Sequence, residues 1–167
     1  MTIEIKQDAE SAILVMHEVG RWMESRGMNP SKWWKPENLN KKFLFKYAKP
    51  NEFYVAMVDG EPAAAAVFQV EQAAQDWTSV DRDSKVSALY IHWLCAGRKF
   101  ASKGLPKMLV DFAKQLAGER DIKLLRADTN AKEKKLRAMY EKLGFTLKAE
   151  VDEGYRSTAF YEISLEK

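Results

Sequence analysis

Residues 87–118 read SALYIHWLCAGRKFASKGLPKMLVDFAKQLAG. Together with Val86, the part up to Ala96 is the most apolar strand-like run in the chain and predicts a strand over 86–96. Beyond the polar loop GRKFASKG, Leu105, Met108, Leu109, Phe112 and Leu116 recur at helical spacing, which predicts a helix over about 105–118. A loop that turns into a helix amino terminus presents unpaired N–H groups and the positive end of the helix dipole at one place. Such a place suits phosphate. Gly104 would let the backbone approach a ligand closely, and Arg98, Lys99 and Lys103 add positive charge. A plain helix start decorated with basic residues is the competing reading, and from this loop alone it is the stronger. The loop is neither a Walker A sequence nor a Gly-x-Gly-x-x-Gly turn.

Working outward, a strand is expected over 122–127, so the central strand–helix–strand demands a parallel pair. Residues 127–145, ADTNAKEKKLRAMYEKLGF, carry a helix over about 132–143 with Leu136, Met139, Tyr140 and Leu143 on one face, closed by Gly144. Two final strands are expected near 145–151 and 159–165. On the other side, 3–6 reads as a short strand, and Asp8 caps a helix to about Arg26. A loop with two prolines and adjacent tryptophans leads to a helix expected over about 36–47. Runs 53–58 and 63–70 read as strands joined by Asp59-Gly60, a strong hairpin signal. The order is β-α-α-β-β-β-α-β-α-β-β, an α/β (α+β) chain with a mixed sheet. With no repeat, low-complexity tract or linker, residues 1–167 read as a single domain.

At 167 residues, 46% hydrophobic and 31% charged, the chain has an ordinary globular composition. Its 27 basic and 24 acidic residues leave a net charge of +3, too small and too scattered for a nucleic-acid surface. Cys95 is the only cysteine and His17 and His92 are the only histidines, which excludes an intrachain disulfide and leaves no metal site to expect. MTIEIKQDAE lacks the basic and apolar regions of a signal peptide. No apolar run approaches the ~18 residues that span a bilayer. A cytoplasmic protein without membrane or nucleic-acid partners is expected.

Tyr140-Glu141-Lys142-Leu143-Gly144-Phe145 after an amphipathic helix resembles the carboxyl-terminal signature of the GNAT N-acetyltransferases. KFASKGLP, behind its apolar strand, resembles their pyrophosphate loop, Gln/Arg-x-x-Gly-x-Gly/Ala. The separation of about forty residues, with one strand between, agrees with that family. The match is strong over 86–147. Trp22-Met23-Glu24-Ser25-Arg26-Gly27, Trp33 and Gln75-Asp76-Trp77 resemble a bacterial branch of it. The resemblance implies the GNAT fold: a mixed, largely antiparallel sheet of about six to seven strands flanked by about four helices. It implies transfer of an acetyl group from acetyl-CoA, with no metal, to a primary amine of a small molecule or a protein, and it makes a homodimer a fair expectation. The acceptor itself is not implied.

Carried over residue by residue, the resemblance gives Leu94, Cys95 and Ala96 to the cofactor's pantetheine arm, with one amide polarising the thioester carbonyl. Ordinary strand pairing is the alternative for these three, and a buried structural thiol the commoner fate of Cys95. Lys99, Ala101, Ser102, Lys103, Gly104, Leu105 and Pro106 form the pyrophosphate loop, and Asn130 and Glu133 lie near the cofactor. Three positions depart from the family. Ala101 stands where Arg or Gln is usual, Pro106 removes an N–H where Gly or Ala is usual, and Glu133 stands where many relatives carry Asn. Arg98, Lys99 or Lys103 would compensate for the missing charge. These departures motivate a second reading, a CoA-binding regulatory module with little turnover.

Tyr140 is a candidate general acid for the departing thiolate, with core packing as the alternative. His92 is a candidate for removing the amine's proton, because imidazole exchanges protons near neutral pH. It also resembles the histidine that serves this role in the same strand of some family members. Alternation places it on one face with Tyr90 and Leu94, and an internally satisfied histidine is an equal alternative. Trp33, Trp34, Tyr47 and Trp77 are candidates for lining the acceptor pocket, with core or rim packing the commoner role of aromatics. Asp76 and Glu71 are candidate partners for a cationic amine. Asp128 reads as structural.

Overall fold

The computed structural model describes residues 1–28, 31–70 and 77–166. Among these, the strands are β1 (Ile3–Gln7), β2 (Phe53–Val58), β3 (Glu61–Gln69), β4 (Leu89–Ala96), β5 (Leu124–Asn130), β6 (Thr146–Asp152) and β7 (Ser157–Ser164). The helices are α1 (Ala9–Ser25), α2 (Lys41–Leu44), α3 (Thr78–Asp81), α4 (Leu105–Glu119) and α5 (Lys134–Lys142). The sheet order is β1-β2-β3-β4-β5-β7-β6. β4 and β5 pair in parallel, whereas β1 with β2, β2 with β3, β5 with β7 and β6 with β7 are antiparallel. The expected mixed sheet is therefore present. The β2–β3 turn is as its sequence predicts, with Asp59 at φ 48° and Gly60 at φ 81°.

The chain forms two compact units, Met1–Phe68 with Trp93–Leu109, and Gln69–His92 with Val110–Lys167. In the first, the buried face of α1, including Ile13, Met16 and Val19, packs with Leu39, Leu44, Phe53, Val55, Val67 and Cys95. α1 begins as predicted. Asp8 accepts from Ser11 N at 3.1 Å and Ser11 Oγ at 2.9 Å, and these bonds hold its carboxyl below the usual carboxylate range. Gly20 in α1 has a packing reason to be glycine. A Cβ there would lie 2.5 Å from Leu39 Cδ1 and 2.8 Å from the Trp34 carbonyl oxygen, so any side chain would push the tryptophan segment away from the helix.

In the second unit, Trp77, Ala88, Tyr90 and Phe160 form a buried cluster. Arg126 is buried beside it. Its Nη1 and Nη2 donate to both Asp81 oxygens at 2.7 and 2.8 Å, its Nε donates to Glu162 at 2.8 Å, and its guanidinium lies 4.2 Å from the Trp77 ring centroid. Burial opposes the charge of Arg126, but the two carboxylates outweigh it and hold the group firmly protonated.

Several expected boundaries are corrected. The helix expected over 36–47 is instead one 3-10 turn, Pro36–Asn38, followed by the single turn of α2, with another 3-10 turn, Lys32–Trp34, in the loop before it. Leu39 leaves the helical region and Asn40 starts again, its side chain accepting from Phe43 N at 2.9 Å. Ile122 closes α4 rather than opening a strand. Asp121 is left-handed (φ 55°), and Ile122 N–H returns to the Ala117 carbonyl at 2.8 Å. β5 then runs through the polar Asp128, Thr129 and Asn130 because β7 offers them partners, Asn130 pairing with Thr158. α5 starts two residues late, since Asn130 Oδ1 accepts from Lys132 N at 3.0 Å and holds a turn. β4 starts at Leu89 rather than Val86, and α3 had no sequence signal.

Candidate active site

Within the first unit, β4 carries an irregularity that its sequence does not announce. Trp93 sits at φ 52°, a left-handed conformation in the middle of a strand. A bulky residue pays about 1–2 kcal/mol for this, and such strain persists only where the surroundings fix it. Here the indole Nε1 donates to the Trp33 carbonyl at 2.7 Å. A left-handed residue breaks the pleat and re-aims the backbone that follows, as a bulge does. It also interrupts the alternation that put His92 and Leu94 on one face. The parallel register of β4 with β5 ends just before, at Ile91↔Ala127, although β4 continues to Ala96. Leu94 and Cys95 are buried and Ala96 is half-buried. Burial raises the Cys95 thiol far above its ordinary range, despite a hydrogen bond from the Ala65 backbone, so it is no nucleophile.

The loop after β4 turns through a 3-10 segment, Arg98–Phe100, and then two left-handed residues, Ser102 (φ 70°) and Gly104 (φ 73°). Leu105 and Pro106 begin α4, Leu105 buried and Pro106 half-buried. Alternating handedness of this kind is the backbone pattern of an anion nest, although the Lys103 N–H itself returns to the Phe100 carbonyl at 3.3 Å. A Cβ on Gly104 would find no other atom of the chain within 4 Å, so the space beside it is open. The basic residues divide. Arg98 stacks 4.0 Å over the Trp22 ring and Lys99 pairs with Glu61 at 2.9 Å. Lys103 is exposed, and among the described residues its ammonium enters no ion pair or ring contact.

In the second unit, His92 Nδ1 lies 3.9 Å from Asp128 Oδ1, both side chains 19% exposed, and Asp128 Oδ2 accepts from Arg156 at 2.6 Å. Asp128, read from sequence as merely structural, is therefore the carboxylate facing the candidate base. Tyr140 is buried, stacked on Tyr161 at 5.9 Å and edge-on to Phe145 at 5.4 Å. The Tyr161 hydroxyl accepts from Arg137 Nε at 3.0 Å. Asn130 and Glu133 flank the turn into α5. The Asn130 backbone carbonyl oxygen accepts from Glu133 N at 3.0 Å, so this oxygen and the side-chain Oδ1 of Asn130 are both engaged in that turn.

The aromatic candidates separate as well. Trp33 and Trp34 are half-buried, Trp34 against the core of the first unit. Trp33 stands edge-on to Tyr47 at 4.8 Å and to Trp93 at 5.9 Å, with Phe43 tilted at 6.1 Å. Trp77 is a correction. It is fully buried, edge-on to Phe160 and Tyr90 and 4.2 Å from the Arg126 guanidinium, and it offers no surface to an acceptor. Asp76 and Glu71 lie outside the described residues. Sequence reading missed Phe43 and Trp93 as members of the aromatic group, since neither the bulge nor the α2 turn is visible in local periodicity. Among the described residues no cluster of His, Cys, Asp and Glu could hold a metal, and no helix is long and apolar enough to cross a membrane.

No curated protein matches the chain in sequence. Among solved structures, a GNAT-family acetyltransferase from Listeria monocytogenes 4b F2365 superposes with a TM-score of 0.72 at 20% identity, covering 98% of this chain and 95% of that one. One from Streptococcus agalactiae 2603 gives 0.75 at 17% identity, over 99% and 96%. The PaiA N-acetyltransferase of Thermoplasma acidophilum, solved in complex with coenzyme A, gives 0.71 at 18%, over 98% and 99%. At these identities the likenesses establish a shared fold. Residues 19–145 match the sequence model of the Acetyltransferase (GNAT) family, well over half of the chain. The chain belongs to the GNAT acetyltransferase family.

Proposed function

We propose that the protein is an N-acetyltransferase that passes an acetyl group from acetyl-CoA directly to a primary amine. The observation that carries this reading is the run from the left-handed Trp93, where β4 has left its parallel register, to the nest-like loop at Ser102 and Gly104. The open space at Gly104 and the exposed Lys103 fit a pyrophosphate. Acetyl-CoA supplies an activated thioester. The backbone of Leu94, Cys95 and Ala96 holds the pantetheine arm, and an amide there polarises the acyl carbonyl. Ser102, Lys103, Gly104 and the first turn of α4 bind the pyrophosphate. His92 accepts the proton of the acceptor amine, directly or through water, with Asp128 orienting the ring. Tyr140 gives its hydroxyl proton to the leaving sulfur.

The experiment is CoA-thiol release from acetyl-CoA against a broad amine library, repeated with Tyr140→Phe. Turnover should fall roughly 10²–10⁴-fold in the variant, while CoA affinity and folding stay close to the parent. Equal turnover in the two proteins would return Tyr140 to its packing against Tyr161 and Phe145. A regulatory CoA-binding module is the second reading, favoured by Ala101 and Pro106 together with the engagement of Arg98 and Lys99 inside the protein. Copurified CoA without turnover on any amine would support it.

A further inference from the structure

The segment from Lys32 to Lys49 combines an excess of basic charge with a group of aromatic rings. It holds six lysines, at positions 32, 35, 41, 42, 46 and 49, against the single acid Glu37. Its local charge of +5 (six minus one) exceeds that of the whole protein, +3. All six lysines are exposed. The same segment gathers Trp33, Phe43 and Tyr47 into one aromatic group with Trp93, the left-handed residue of β4. Tyr47 is 43% exposed, and Trp33, Phe43 and Trp93 are half-buried, so the group has a face as well as a packed side.

An aromatic group of this kind often receives a cation, but two of its rings are already approached by the protein's own. Lys32 Nζ stands 4.7 Å from the Trp33 centroid and Lys46 Nζ stands 5.9 Å from that of Phe43. A polyamine or other polycation would meet like charge at Trp33 and at Phe43. A ligand with an apolar body and an acidic group would bury the body on the rings and bring the acid to Lys32 and Lys46. Glu18, which approaches Gly97, belongs to α1 and does not change the sign of the segment. Gly20 keeps the segment close against α1, so the surface is built into the fold.

We infer that the acceptor is an anionic amine with an apolar or aromatic body, of the amino-acid type, its acidic group held by Lys32 and Lys46 against the Trp33–Phe43–Tyr47–Trp93 group. This rests on the N-acetyltransferase reading and adds the chemical class of the acceptor. Attack requires the neutral amine, and an acceptor seated by its acid and its apolar body leaves that nitrogen uncommitted.

The test compares phenylalanine, phenylalaninamide and spermidine as acceptors, with CoA-thiol release as the readout. Phenylalanine keeps the acidic group that its amide lacks, and spermidine presents only cations. The expected order of kcat/KM is phenylalanine, then the amide, then spermidine, the first step being about tenfold or more. In the Lys32→Gln/Lys46→Gln double variant the acid-to-amide ratio should fall about tenfold or more below its parental value, with CoA titration checking that the variant is folded. Turnover that favours the amide or spermidine overturns this inference and leaves the acetyltransferase reading standing. An unchanged acid-to-amide ratio in the double variant overturns it too. Absence of thiol release with any amine, including a broad library, overturns the inference together with the reading beneath it.

Discussion

Trp93 and His92 are neighbours in β4 whose constraints differ in kind. Trp93 holds a strained backbone through one indole hydrogen bond to the Trp33 carbonyl. His92 faces a carboxylate, Asp128, that is itself held by Arg156. A carboxylate that also pairs with an arginine is held in place and can orient the imidazole it faces. Replacing His92 by Gln keeps a polar side chain of similar reach and removes the imidazole. With an amine found to be a substrate, kcat/KM of the variant should be lower by roughly 10²–10⁴-fold. A parental rate in the variant would leave His92 as a structural partner of Asp128.

At the scale of the element, the loop between β4 and α4 decides whether a cofactor can dock. Gly104 is left-handed, so Gly104→Ala costs about 1 kcal/mol of backbone strain. The added methyl meets no other atom of the chain within 4 Å, so packing adds little to that cost. The same methyl would stand where the pyrophosphate is proposed to lie. Calorimetry should show CoA affinity weakened about tenfold or more, equivalent to at least ~1.4 kcal/mol, with the thermal midpoint only a few degrees lower. Equal affinity in the folded variant would remove this loop from the site. Alanine suits this better than valine, whose branched Cβ would add strain of its own at positive φ.

For the whole molecule, the boundary between the two compact units falls inside β3, β4 and α4. A ligand that binds the native chain and not the unfolded one stabilises it by mass action, about 2.7 kcal/mol at a hundredfold excess over Kd. For a chain of this length that corresponds to roughly 5–10 °C in the thermal midpoint. Thermal unfolding with and without saturating CoA should show this rise. A midpoint indifferent to CoA at millimolar concentration would exclude the cofactor assignment and everything built on it.

The sequence was sufficient for what local physics controls. Asp8 capped α1, Asp59-Gly60 turned the β2–β3 hairpin, and the apolar stripe from Leu105 to Leu116 formed α4, because caps, turns and periodicity depend on residues within a few positions of one another. The two motifs that carried the family resemblance were equally local. Partner choice across the chain was not legible. Trp33 and Trp93 meet across sixty positions, Arg98 spends its charge on Trp22 and Lys99 on Glu61. Trp77, as aromatic and as loop-flanked as Trp33, is buried under Arg126 while Trp33 keeps an open face. Identical side chains thus took different roles, since burial and strain are set by whichever distant surfaces the sheet brings against them, and only the tertiary structure decided that.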